Sequence, residues 1–226
     1  MKYLTFTNYG NLDLAKNLYK SFVNLNIQDK LWIVCTDKKS YDEFESINKL
    51  NYFIDGFDNN LLYGTTGFNE FMLFKLKIVK EALSHCEKLV YVDSDIYFYK
   101  DPTGLLEYVL NNYSLFMQKD SPGTSVCSGF FGMTNIPKNI SLLENTIHSM
   151  SNRLGKDDWN DQNYISAELY KQKYMPYQLP MHLFPNGHYA FIDKKPLNES
   201  YIVHANYLIG IEEKIKKLKE INAYAL

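Results

Sequence analysis

The stretch KLVYVDSDIYFYKDP, residues 88–102, decides the fold. Leu89–Val92 is a continuous apolar run, the composition of a strand buried on both faces. It stops at two carboxylates, Asp93 and Asp95, which flank Ser94. Working outward towards the N-terminus, two periodicities alternate. Asn69–Leu83 sets Phe71, Phe74, Ile78 and Ala82 at helical spacing, and Asn11–Leu25 does the same with Leu14, Leu18 and Phe22. Tyr3–Thr7 and Leu31–Thr36 read as strands, with a brief third at Tyr52–Ile54. A short helix near Tyr41–Lys49 and a loop, GFDNNLLYGTTG at residues 56–67, complete this half. Strands alternating with helices predict an α/β fold with a mostly parallel central sheet flanked by helices.

The second half changes character. Short strands are expected at Ser114–Gln118, Gly129–Met133, Tyr174–Tyr177, Tyr189–Ile192 and Tyr201–Val203, interrupted by helices near Lys138–Asn152 and Asn160–Tyr170. This is the pattern of a smaller antiparallel portion beside the parallel sheet. The chain shows no repeat and no low-complexity linker, so residues 1–226 are expected to form one domain. Within it, residues 1–100 and residues 101–226 are expected to form two halves of different character.

Bulk properties exclude several classes. A hydrophobic share of 46% with 22% charged residues argues against a disordered chain, and a net charge of −2 gives no footprint for nucleic acid. Cys35, Cys86 and Cys127 are odd in number and far apart, which suits reduced thiols in the cytosol. Neither a signal peptide nor a membrane span is evident, and a cytoplasmic location is expected.

Ligands of open α/β sheets bind beyond the carboxyl ends of the strands. That rule singles out Thr5, Phe6, Thr7 and Asn8, then Thr36 and Asp37, then Asp93–Asp95. Asp-x-Asp spacing is common by chance; its placement directly after a buried strand is what gives it meaning. Hard oxygen ligands on a short turn suit Mg²⁺ or Mn²⁺ carrying phosphate oxygens; two solvated turn residues are the alternative. His204 ends another short apolar strand, either as a nitrogen ligand favouring Mn²⁺ or as a half-buried structural histidine. Gly210 opens a helix bearing Lys214, a site for phosphate or simply the start of a solvated amphipathic helix. Asp161 and Gln162 begin a helix, where they hold sugar hydroxyls or serve as a cap. Ser128–Gly129 offers backbone to a sugar ring or a tight turn between core strands. Asn186–Gly187 is a turn signal, with His188 read as structural.

Taken in order, these pieces resemble the nucleotide-diphospho-sugar transferase family of GT-A fold, which includes plant cell-wall xylosyltransferases and relatives in large DNA viruses. More distantly the chain is similar to the glycogenin and galactosyltransferase group. FMLFKLKIV, YVDSDIYFYKDP, SGFFGM, NDQN, LFPNGHYAF and VHANYLIGIEEK carry the likeness over nearly the whole chain. The resemblance implies that Asp93 and Asp95 bind metal and ribose, with Asp95 the firmer metal ligand and His204 the third. It places Gly210 and Lys214 at the diphosphate, Thr5–Asn8 and Asp37 near the nucleoside, and Lys75 near the donor. Asp161 and Gln162 face the transferred sugar. The family usually has Asn-Ser-Gly where this chain has Cys127-Ser128-Gly129, so sugar contacts differ there. A uridine diphosphate sugar donor, a glycan or other hydroxyl acceptor, and retention of configuration are implied.

Front-face attack, with the leaving diphosphate taking the proton, needs no protein nucleophile; a double displacement through Asp161 or Gln162 ranks below it. An inverting reaction would make Asp161 or Asp120 the general base. The rivals are a phosphotransferase of the haloacid-dehalogenase type, against which Tyr97 and the two preceding β-α units argue, and a catalytically silent nucleotide-sugar-binding module. Glycoside hydrolysis is disfavoured, because its carboxylates must lie apart across the scissile bond.

Overall fold

In a computed structural model, described for residues 1–44, 48–54, 65–121, 125–156 and 159–226, seven strands form one sheet in the order β3-β2-β1-β4-β7-β6-β8. The four at one end are parallel: β1 (Lys2–Thr7), β2 (Leu31–Cys35), β3 (Lys49–Asn51) and β4 (Lys88–Val92). β7 (Val126–Thr134) runs antiparallel to both β4 and β6 (Leu115–Lys119), and β8 (Tyr177–Leu179) lies parallel to β6 at the far edge. A second sheet pairs β5 (Ile96–Phe98) antiparallel with β9 (Ile202–His204). The expected α/β layout, mostly parallel with a small antiparallel part, is the one observed.

The long helices cover the sheet because their apolar stripes require it. α1 (Leu12–Asn24) buries Leu14, Leu18 and Phe22. α3 (Thr66–Ser84) buries Phe71, Ile78 and Ala82, while Phe74 remains partly exposed against Tyr52. α5 (Pro137–Arg153) and α6 (Asp161–Lys171) lie where helices were expected.

Four assignments move. The helix expected at Tyr41–Lys49 is α2 (Lys38–Glu43), because Asp37 caps it by accepting from Ser40 N at 2.7 Å; residues 45–47 lie outside the described ones. β3 precedes the expected Tyr52–Ile54, although Tyr52 N and Ile54 N still bond to Cys35 O and Thr36 O. β8 lies at Tyr177–Leu179 and not at Tyr174–Tyr177. The largest correction concerns Tyr189–Ile192, which is no strand: His188–Ile192 forms a π-helical turn. Asn186 Oδ1 accepts from Tyr189 N at 3.0 Å and Asn186 O from Ala190 N, which winds the chain there. α4 (Thr103–Tyr113) was not read from the sequence. The 56–67 loop falls mostly outside the described residues.

Cys35 and Cys127 are buried and Cys86 is half-buried, all three as free thiols. Burial pushes the Cys35 thiol up to about 11. Alkylation of Cys35 at pH 8 is therefore expected to await unfolding, which mass mapping after a brief iodoacetamide pulse would check.

Candidate active site

β4 delivers Asp93 at its carboxyl end, where Asp93 N donates to Gly129 O at 2.8 Å. β5 turns back at once and pairs with β9, setting Ile96 opposite His204. That pairing, together with Ala205 N donating to Asp95 O at 3.0 Å, brings residues far apart in sequence into one cluster. His204 Nε2 lies 3.1 Å from Asp95 Oδ1 and 3.7 Å from Asp93 Oδ2. One ligand atom each from Asp93, Asp95 and His204 falls within 4.8 Å of the others.

The donor set is two carboxylates and one imidazole, which fits Mn²⁺ or Mg²⁺ with positions left for phosphate oxygens. Gly129 supports the fit. A Cβ there would overlap Asp93 Oδ2 and His204 Cε1, so only glycine lets β7 pass this close. Gly129→Ala is expected to weaken any Mn²⁺ binding by roughly 10–100-fold, because it would displace Asp93 and His204, two of the three candidate ligands. Titration of Mn²⁺ onto the variant in the presence of uridine diphosphate would check this.

α7 (Ile211–Glu220) brings the counter-charge. Gly210 caps it at φ 87° and ψ 147°, a conformation that favours glycine. Lys214 Nζ, one turn in, meets Asp95 Oδ2 at 2.7 Å. Glu212 and Glu213 occupy the first turn of the helix, where they complement its dipole, and Lys214 adds a positive side chain beside Asp95. Burial alone would raise the Asp95 pKa, but Lys214 and then His204 hold the carboxyl well below its usual range. His204 is pushed the other way. Burial lowers its pKa, and the charge and hydrogen bond of Asp95 more than offset this, carrying it up to about 10.

A second buried cluster adjoins the first. Lys75 falls on the apolar stripe of α3, four residues after Phe71, and is 1% exposed. Its Nζ sits 2.5 Å from Asp161 Oδ2, 4.0 Å from Asp93 Oδ1 and 3.3 Å from Ser128 O. Asp161 is the first residue of α6 but not its cap, since Asn160 accepts from Asn163 N in a capping box. Gln162 reaches across, taking Ser128 N at 3.3 Å and donating to Asp120 Oδ2 at 3.3 Å. Lys75, Asp93, Ser128, Asp161 and Gln162 are thus linked.

The corner at β1 and β2 is built differently. Thr5, Phe6, Thr7, Asn8 and Asp37 are all buried. Asp37 accepts from Tyr9 N at 2.7 Å as well as from Ser40 N, so it braces two strand ends together. Ser94 sits in the turn between β4 and β5.

Two residues at the site escaped the sequence reading. Tyr91 donates from Oη to Asp93 Oδ1 at 2.7 Å. Its signal was the strand period of two, which puts residues 91 and 93 on one face. Gln118 lies 2.8 Å from His204 Nδ1. Its only signal was an amide inside the apolar strand LFMQK.

Residues 26–218 match the nucleotide-diphospho-sugar transferase family. The chain belongs to this family. It is 24% identical over 268 residues to a UDP-galactose:fucoside alpha-3-galactosyltransferase of Dictyostelium discoideum, covering 94% of this chain and 41% of that protein. The chain therefore spans about two-fifths of that relative's length. Among solved structures, the galactosyltransferase LgtC in complex with donor and acceptor sugar analogs superimposes with a TM-score of 0.66 at 11% identity, over 100% of this chain and 97% of that one. The glycosyltransferase GlyE of Streptococcus pneumoniae TIGR4 does so with a TM-score of 0.64 at 16% identity, over 96% and 59%. At such identities the likeness shows a shared fold. Family membership also sets aside the phosphotransferase alternative.

Proposed function

We propose that the chain transfers a sugar from a uridine diphosphate donor to a glycan or other hydroxyl acceptor, with retention and with a divalent cation. The observation that carries this reading is the convergence of Asp93, Asp95 and His204 around space that Gly129 keeps open. Those three would hold Mn²⁺ or Mg²⁺, which when bound supplies positive charge to the departing diphosphate. Lys214, already beside Asp95, is the protein's own cation for the same charge. The name of the Dictyostelium relative supports UDP-galactose as the first donor to try.

Lys75, Asp161, Gln162, Ser128 and Gly129 are assigned to the transferred sugar, and Thr5–Asn8 with Asp37 to the nucleoside corner. Gly210 and Lys214 are assigned to the diphosphate. In this division residues 1–100 serve the nucleotide and residues 101–226 the acceptor and phosphate, within one domain. An Asp161 carboxylate engaged by a buried lysine is a poor nucleophile, which favours front-face attack over double displacement. Positioning and charge stabilisation then supply most of the rate. No helix among the described residues is long and apolar enough to cross a membrane. The free thiols support a cytoplasmic setting.

Calorimetric titration of uridine diphosphate with and without Mn²⁺ tests the reading. Binding that requires Mn²⁺, followed by turnover of a UDP-sugar to product with unchanged anomeric configuration by NMR, is expected. A folded protein that binds no nucleoside diphosphate with Mn²⁺ present would refute it. Binding without any turnover would instead identify a silent nucleotide-sugar module.

A further inference from the structure

We infer that Gln118 is a positioning residue for the cation site, fixing the His204 ring so that Nε2 faces Asp93 and Asp95. This rests on the reading that those three residues bind a cation. β6 and β7 pair in register as far as Met117 opposite Phe131, and then the ladder slips, so that Gln118 opposes Cys127. Such an irregularity beside a site re-aims a side chain. Here it sends a fully buried amide towards His204.

The amide can adopt only one orientation. Gln118 Nε2 donates to Phe184 O and to Pro185 O, each at 3.1 Å. Turned over, the amide would set its oxygen against two carbonyl oxygens, and both contacts would become repulsive. Oε1 therefore faces His204 Nδ1 at 2.8 Å, and an acceptor there requires Nδ1 to carry the proton. A histidine with Nδ1–H committed in this way presents the Nε2 lone pair once Nε2 is deprotonated. The rest of the surroundings agree. His204 N donates to Pro185 O at 3.2 Å, so ring and backbone are held by the same 184–185 segment. Cys127 Sγ lies farther from Nδ1, at 3.9 Å, and already accepts from Gly129 N at 3.3 Å. Gln118 is thus the nearer partner that determines where the Nδ1 proton sits.

Two substitutions separate this role from a structural one. Gln118→Met and Gln118→Glu both remove the donors to Phe184 O and Pro185 O, so both are expected to melt lower. Only the second, through its carboxylate, retains an acceptor for Nδ1–H. Mn²⁺ titrations with uridine diphosphate present would be run on wild type, both variants and Asp95→Ala. The expected result is roughly 10–100-fold weaker Mn²⁺ binding in Gln118→Met, with most of that recovered in Gln118→Glu. Equal weakening in both variants would show that the strap to 184–185 matters and the acceptor does not, which overturns the inference. So would unchanged affinity in both. In either case loss of binding in Asp95→Ala would leave the cation site itself standing. A wild type that takes no Mn²⁺ would overturn the site reading and this inference with it. Should Gln118→Met fail to fold, Co²⁺-loaded wild type decides: a hyperfine-shifted, slowly exchanging N–H proton of His204 is expected, and its absence overturns the inference.

Discussion

Asp95→Ala is expected to abolish Mn²⁺-dependent binding of uridine diphosphate and to lower turnover by at least about 10³-fold, on the scale of losing preorganised charge at a leaving group. The reason lies in how many partners Asp95 serves. Its carboxylate contacts His204 on one oxygen and Lys214 on the other, and its carbonyl fixes Ala205 at the end of β9. Removing the carboxylate takes away a proposed ligand and leaves the buried His204 and the half-buried Lys214 without their shared counter-charge. Isothermal titration together with single-turnover kinetics would check the claim; transfer at a tenth of the wild-type rate would be hard to reconcile with it. Stability without metal should follow pH accordingly. The folded pKa of Asp95 lies below its ordinary 3.8, so its contribution is present above that value and is lost as pH falls towards the folded one. Asp95→Asn should flatten that acid limb in urea melts taken across it.

Lys75→Met should destabilise the fold by about 3–5 kcal/mol, the cost of leaving a buried charge without its partner. Lys75 is the cation that Asp161 and Asp93 share, and it projects from α3 to lie over the Tyr91 ring at 4.9 Å. Burial lowers its pKa, but Asp161 and then Asp93 outweigh that and keep it charged. Replacing Asp161 by Asn in the same chain should recover much of the loss, since the stranded carboxylate is then gone. Urea unfolding of the wild type, Lys75→Met, Asp161→Asn and the double variant measures the coupling. Additive losses in the double variant would mean that the ion pair does not account for the effect.

The strands β2 and β4 were legible because strands covered on both faces are written as unbroken apolar runs, and β1 because its threonines suit a strand as well. Thr103–Tyr113 was missed although its cues were present. Asp101 Oδ1 accepts from Thr103 N at 2.8 Å, and Leu106, Val109 and Leu110 follow at helical spacing. Tyr189–Ile192 failed for the opposite reason: its residues suit a strand, and a tertiary contact overrode them, with Gly187 N held by Asn206 Oδ1 at 2.6 Å. Asp93, Asp95, His204 and Lys214 could be picked out one by one, because each follows a strand or opens a helix. Their convergence was implied by the resemblance and not by the residues taken alone, and Gln118, which meets His204 from 86 positions away through a slipped ladder, could not be read at all. Lys75 was named by resemblance, although the residues themselves held a cue, a charge on the apolar stripe of a helix.

The position of β7 also bears on how the polypeptide is made. It is synthesised after β6, yet it lies between β6 and β4. A chain leaving the ribosome N-terminus first therefore holds the parallel strands with the flank of β4 open until residue 134 has emerged. Through that interval β4 offers unpaired backbone to any neighbouring strand, including β6 itself or another nascent chain. Slow synthesis or crowded expression should divert molecules here, and co-expression of a holdase chaperone should recover more soluble protein than lowering the growth temperature alone.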